Sequence, residues 1–171
     1  MKPETLQDLY VEQLRDLYSA ESQIVDALPI MAQNATNPQL KQGFLTHLEE
    51  SKVQRDRLDT IIRGLGKDPS GHTCQAMKGL IKEASEFISE THTVMSGDSP
   101  SDVIDAGLIA NSQRIEHYEI AGYGTVCTYA EILGRHDDLA HLKLSIAEEK
   151  ATDEKLTMIA ESVVNPAAAR A

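Results

Sequence analysis

The chain has 171 residues and a formal net charge of −11, with two Phe, five Tyr and no Trp. That length suits one domain with its own core. The acidic balance excludes a nucleic-acid surface, normally a basic patch, and electrostatic docking to an anionic membrane. Few aromatics and many Ala, Leu, Glu and Lys predict helices rather than sheet, so the expected class is all-α. No basic segment followed by an apolar run opens the sequence, and no apolar run reaches bilayer-spanning length. Cys74 and Cys127 make neither a disulfide framework nor a paired zinc motif. A reduced, cytoplasmic setting is the expectation.

Five helices are predicted in chain order. The first runs from about Thr5 to the Asn34–Pro38 region, with Pro29 expected to kink it rather than end it. The second starts near Pro38 and stops at Gly64-Leu65-Gly66. A shorter third spans roughly Cys74 to His92, on the stripe Met77, Leu80, Ile81, Ala84, Phe87 and Ile88. Gly97-Asp98-Ser99-Pro100-Ser101 reads as a turn, with Ser101 as N-cap of a fourth helix ended by Gly134. The fifth runs from near Asp137 to about Val164. One domain over residues 1–164 is expected, with a frayed tail over 165–171.

Acids interrupt the apolar stripes of the four long helices. Glu21 lies among Leu14, Leu17, Ile24, Leu28 and Met31. His47, Glu50 and Gln54 lie between Phe44 and Leu58. Glu119 falls on the line Leu108, Ser112, Ile115, Gly122, Val126, Leu133, and Glu149 and Asp153 fall on Leu142, Ile146, Leu156, Ala160. Glu21 and Glu50 are each about 13–15 residues from the Asn37 turn, some 20 Å along an antiparallel pair. Glu119 and Glu149 repeat that placement about the Arg135–Asp137 turn. Offsets of 98 to 99 relate Glu21 to Glu119, Glu50 to Glu149 and Gln54 to Asp153, a weak internal repeat. Two such hairpins, joined by the third helix, make a four-helix bundle with converging acids.

Buried carboxylates at one depth repel one another and lack water, so they need protons or cations. Two divalent ions would offset about four charges. Oxygen donors with one imidazole suit iron first, with manganese or zinc as alternatives. The candidate ligands are Glu21, His47, Glu50, Glu119, Glu149 and Asp153. Gln54 is placed to orient a carboxylate, and Glu116, one turn from Glu119, is a ligand or a surface charge. Tyr18, Tyr118 and Tyr123 lie within a turn of Glu21 or Glu119, where their hydroxyls can meet carboxylates. His117 falls on the far side of its helix and is expected to be exposed. A soft-metal site at His72 and Cys74 is a minor alternative, and Cys127 reads as a small core residue.

The runs Arg114-Ile115-Glu116-His117-Tyr118-Glu119-Ile120-Ala121, His47-Leu48-Glu49-Glu50-Ser51 and Ala147-Glu148-Glu149-Lys150, with Asp153 following, resemble the YciE/YciF-type ferritin-like family. The resemblance spans Leu6 to about Ile159. It implies a ferritin-like bundle, a dinuclear metal site, a homodimer and a role in bacterial stress response. The chain departs from the wider di-iron carboxylate pattern, since no Glu-x-x-His occurs in it. His47 instead precedes Glu50 by three places. Fast oxygen chemistry is therefore less expected than slow peroxide or oxygen redox chemistry at the metal pair. A module in which metal only stabilises the bundle is the alternative, and iron storage or ferroxidase activity is a further one. The small-molecule substrate is not legible. The apolar residues Leu80, Phe87 and Ile88 of the third helix add to the expectation of a homodimer.

Overall fold

A computed structural model describes residues 3–93 and 100–171. Among them there is no strand. The helices are α1 (Leu6–Asn34), α2 (Pro38–Gly64), α3 (Gln75–Thr93), α4 (Ser101–Ile132) and α5 (His136–Ile159). One π-helical turn, Ala160–Val164, carries α5 into the short α6, Asn165–Ala168. Val164 is buried, whereas α6 has no buried residue. Residues 97–99 of the expected turn lie outside the described residues. Ser101 is the first residue of α4, with Pro100 rather than Ser101 at the cap. α1 continues through Pro29.

The boundaries follow local chemistry. Thr5 and Asp8 form a reciprocal capping box at the start of α1, with each side chain bonded to the other's backbone N–H. Asn37 caps α2 by accepting from Gln39 N–H and Leu40 N–H, with Pro38 at the first helical position. Gly66 and Gly134 adopt φ of 68° and 69° after α2 and α4, the left-handed conformation that closes a helix without Cβ strain. The α1–α2 turn is held from outside. The buried Asp105 of α4 accepts from Thr36 N–H (2.8 Å), Thr36 Oγ1 (2.7 Å) and Asn37 N–H (2.7 Å).

These contacts fix the topology. α1 with α2 and α4 with α5 are antiparallel hairpins. The hairpins meet along α1–α4 and α2–α5, both antiparallel, as Thr36–Asp105, Tyr123–Glu21, His47–Thr152 and Arg57–Ser145 show. α2 therefore ends at the opposite end of the bundle from the start of α4, and the segment containing α3 spans that length. This is the ferritin-like four-helix bundle with an additional helix in the crossover. Leu80, Ile81 and Ile88 of α3 pack against the core formed by Ile24, Leu28, Phe44 and Leu108, and Phe87 closes on Gly107.

The core is in two parts. One apolar cluster joins Ile24, Leu28, Met31, Leu40, Phe44, Ile104, Leu108, Leu156 and Ile159 at the Asn37 end. The other joins Tyr10, Leu14, Leu17, Leu58, Ile61, Tyr123, Val126, Ala130 and Leu142. In every long helix the acids fall between the two.

Candidate metal centre

Helices crossing at shallow angles bury residues in alternating steps of three and four. On α1 the buried series is Tyr10, Leu14, Leu17, Glu21, Ile24, Leu28, Met31, so Glu21 points inward. On α2 it is Leu40, Phe44, His47, Ser51, Gln54, Leu58, Ile61, which takes in His47 and Gln54 and leaves Glu50 on the flank. On α4 the steps Ser112, Glu116, Glu119, Tyr123, Val126, Ala130 bring in both acids. On α5 the series is Leu142, Ser145, Glu149, Thr152, Leu156, Ile159, with Thr152 half-buried and Asp153 to one side.

One ligand atom from each of His47, Glu116, Glu119 and Glu149 lies within 4.8 Å of all the others, and all four residues are buried. His47 Nε2 is 3.3 Å from Glu116 Oε1 and 3.7 Å from Glu149 Oε2. Glu21 is fully buried beside them, its Oε1 accepting from the Tyr123 hydroxyl at 2.5 Å. Glu50 stays outside the group of four. Its Oε2 is 3.7 Å from His47 Nδ1, and its side chain is 37% exposed. Asp153 is also outside, accepting from Gln113 Nε2 (3.1 Å) and lying 3.4 Å from the exposed His117. The Gln54 amide donates to Glu148 Oε2 (3.1 Å), which a two-pronged ion pair ties to Arg57. Tyr18 is half-buried against the second apolar cluster.

The electrostatics are those of acids crowded together out of water. Burial, followed by the charge of Glu149, holds the carboxyls of Glu21 and Glu116 well above the ordinary range. Glu119 is raised by burial and then by Glu21. Glu149 is raised by burial, against which the His47 imidazole works. Tyr123 is pushed up by burial and by Glu21. Both oxygens of Glu119 and of Glu149, Glu21 Oε2, Glu116 Oε2, His47 Nε2 and Gln54 Oε1 are buried with no hydrogen-bond partner among the described residues. Buried polar atoms are rarely left so. Clustered acceptors with almost no donors form a set that could hold a metal ion.

Glu116 has the same standing here as Glu119, which its place beside the apolar Ile115 concealed. Ser145, Thr152, Arg57 and Glu148, to which the sequence pattern assigns no role, make the contacts across the α2–α5 seam. Among the described residues His72 and Cys74 belong to no cluster of three potential ligands. His72 Nε2 is 2.9 Å from Asp16 Oδ1, and Cys74 Sγ is 3.0 Å from the Tyr118 hydroxyl, which donates to Asp16 Oδ2. Burial pushes Asp16 up, but the hydrogen bonds from Tyr118 and His72 outweigh it and hold its carboxyl below the usual value.

The family described as a domain of unknown function, DUF892, matches residues 5–169. The chain belongs to the DUF892 family. It is 42% identical over 166 residues to protein YciF of Escherichia coli K12, covering 96% of each chain. The crystal structure of the Escherichia coli stress protein YciF superposes with a TM-score of 0.85 at 41% identity, over 95% of this chain and 99% of that one. YcfI from Rhodopseudomonas palustris is similar at 46% identity and a TM-score of 0.82, over 90% and 94% of the two chains. A protein of Xanthomonas campestris pv. campestris, only 19% identical, shares the fold with a TM-score of 0.74 over 95% of both chains. The bundle is thus that of YciF. No described helix of this DUF892 protein is long and apolar enough to cross a membrane.

Proposed function

We propose that this protein is a dinuclear metal protein of the stress response, holding two divalent cations between Glu21, His47, Glu116, Glu119 and Glu149. The observation that carries the reading is the set of buried, unpartnered carboxylate oxygens around His47 Nε2. Four carboxylates at one level carry four negative charges, which two divalent ions offset. Iron is the first candidate, with manganese or zinc as alternatives. The stress-response part rests on the likeness to YciF, whose solved structure is described as that of a stress protein.

Redox-active ions held by Glu21, His47, Glu116, Glu119 and Glu149 would supply electrons to a peroxide or to oxygen, being oxidised themselves. The chain's own residues set the terms. The two apolar clusters exclude bulk water, Tyr123 holds Glu21 by its hydroxyl, and Gln54 sits between the centre and the Arg57–Glu148 ion pair. A second reading, in which the metal only stabilises the bundle, draws on the enclosure of the ligands, with side chains at most 3% exposed. Elemental analysis after reconstitution with Fe²⁺, Mn²⁺ or Zn²⁺ tests the centre itself. Close to two ions per chain are expected, and less than about half an ion under every loading condition rejects it. Consumption of hydrogen peroxide by the loaded protein separates the two readings.

A further inference from the structure

A centre this enclosed needs a route by which a cation reaches it, and the α2–α5 seam is built differently from the rest of the wall. There the His47 ring stands across the wall. Its Nε2 faces Glu116 and Glu149 on the inside, at 3.3 and 3.7 Å. Its Nδ1 faces Glu50 Oε2 at 3.7 Å and Thr152 Oγ1 at 3.5 Å. Glu50 and Thr152 also line a cleft of about 90 Å³, whose other walls include Phe44, Leu156, Ile159 and Lys155. That is room for several waters or a partly hydrated ion.

Three other acids flanking the centre are already engaged. Asp153 accepts from Gln113 and faces His117, and Glu148 is clamped by Arg57, whose own cation guards that stretch of the seam. On the α1–α4 side Asp16 is held by Tyr118 and His72. Glu50, 37% exposed, has His47 as its one polar contact among the described residues. It is the carboxylate that can meet solvent on one side and the imidazole on the other.

We infer that the cleft at Glu50 is the port through which divalent cations reach the centre, Glu50 capturing the ion and passing it inward beside the His47 imidazole. The step is ligand exchange alone. Waters leave the cation as the Glu50 carboxylate and then the inner carboxylates replace them, and no electron moves. The exposed Lys155 ammonium at the mouth opposes a cation's approach and so sets the rate from the other direction.

This inference rests on the metal reading above, and its test keeps the two apart. Metal-free full-length protein is mixed in stopped flow with Zn²⁺ held by a chromophoric chelator, and the transfer rate and final number of ions per chain are both read. Zn²⁺ has no redox chemistry, so uptake is seen alone. Glu50→Gln is expected to slow transfer by about tenfold at low salt while leaving the final ratio at the wild-type value. Glu50→Asp should recover much of the rate. Lys155→Gln should raise the rate by roughly two- to fivefold, and salt should shrink both effects. An unchanged rate in Glu50→Gln overturns the port. So does a lowered final ratio in that variant, because Glu50 would then be a resident ligand. If wild type takes up no Zn²⁺, Mn²⁺ or Fe²⁺, the metal reading fails and the port with it.

Discussion

Replacing Glu119 by Leu sets stability against metal binding at one position. Glu119 is fully buried, and among the described residues neither of its oxygens has a hydrogen-bond partner. Each unsatisfied buried acceptor costs about 1–3 kcal/mol, and Leu fills similar space without a polar atom. After the loss of imperfectly replaced packing, the metal-free variant should be more stable than metal-free wild type by about 1–3 kcal/mol. For a chain of this size each kcal/mol corresponds to roughly 2–4 °C, so Tm should rise by about 2–12 °C. Metal reverses the ranking. Wild type should gain about 2.7 kcal/mol per bound ion with free metal at 100 times Kd, while the variant gains little. Thermal melts of both proteins, in chelator and in excess metal, give the four values. A variant that melts lower than wild type in chelator would show that Glu119 is well satisfied where it lies. An equal metal-induced rise in both proteins would show that it is not a ligand.

Metal-free wild type should melt higher at pH 5 than at pH 8. Glu21, Glu116, Glu119 and Glu149 all have folded pKa values raised above the ordinary 4.5, so the folded chain keeps protons that the unfolded chain has released. Their contribution is full below that value and is lost as pH rises through the folded values, at about 1.4 kcal/mol per pH unit per retained proton; a Tm that climbs with pH in chelator would refute it. Asp105→Ala should lower stability by about 2–4 kcal/mol, because Thr36 N–H and Asn37 N–H lose their acceptor, as denaturant unfolding would show. It should leave the metal ratio unchanged. Light scattering should give a homodimer, twice 18.8 kDa, since Ile30 is 53% exposed over a groove it lines with Ile81 and Ile88; a monomer mass at micromolar concentration would exclude it.

How much was legible in the sequence depends on what each signal resolves. Composition and punctuation carried the helices, because Pro38, Gly66 and Gly134 act through their own backbone geometry and Asn37 through its own side chain. The convergence of acids was legible as well, since distance from a turn converts to depth at a fixed rise per residue. The choice between neighbouring positions was not. An apolar stripe three or four residues wide admits Glu50 as readily as Ser51 and Asp153 as readily as Thr152, and does not show that Glu116 is buried beside Ile115. Only the rotation of each helix against its neighbours turns Ser51, Thr152 and Glu116 inward and sets Glu50 and Asp153 aside. The partners Asp105–Thr36, Arg57–Glu148 and Tyr123–Glu21 are likewise 69 to 102 residues apart, and no local pattern links them. The sequence alone determined that acids would meet at one level of a helical bundle. The packing of four helices decided which of them face one another, because side-chain direction around a helix axis is set by what lies against it.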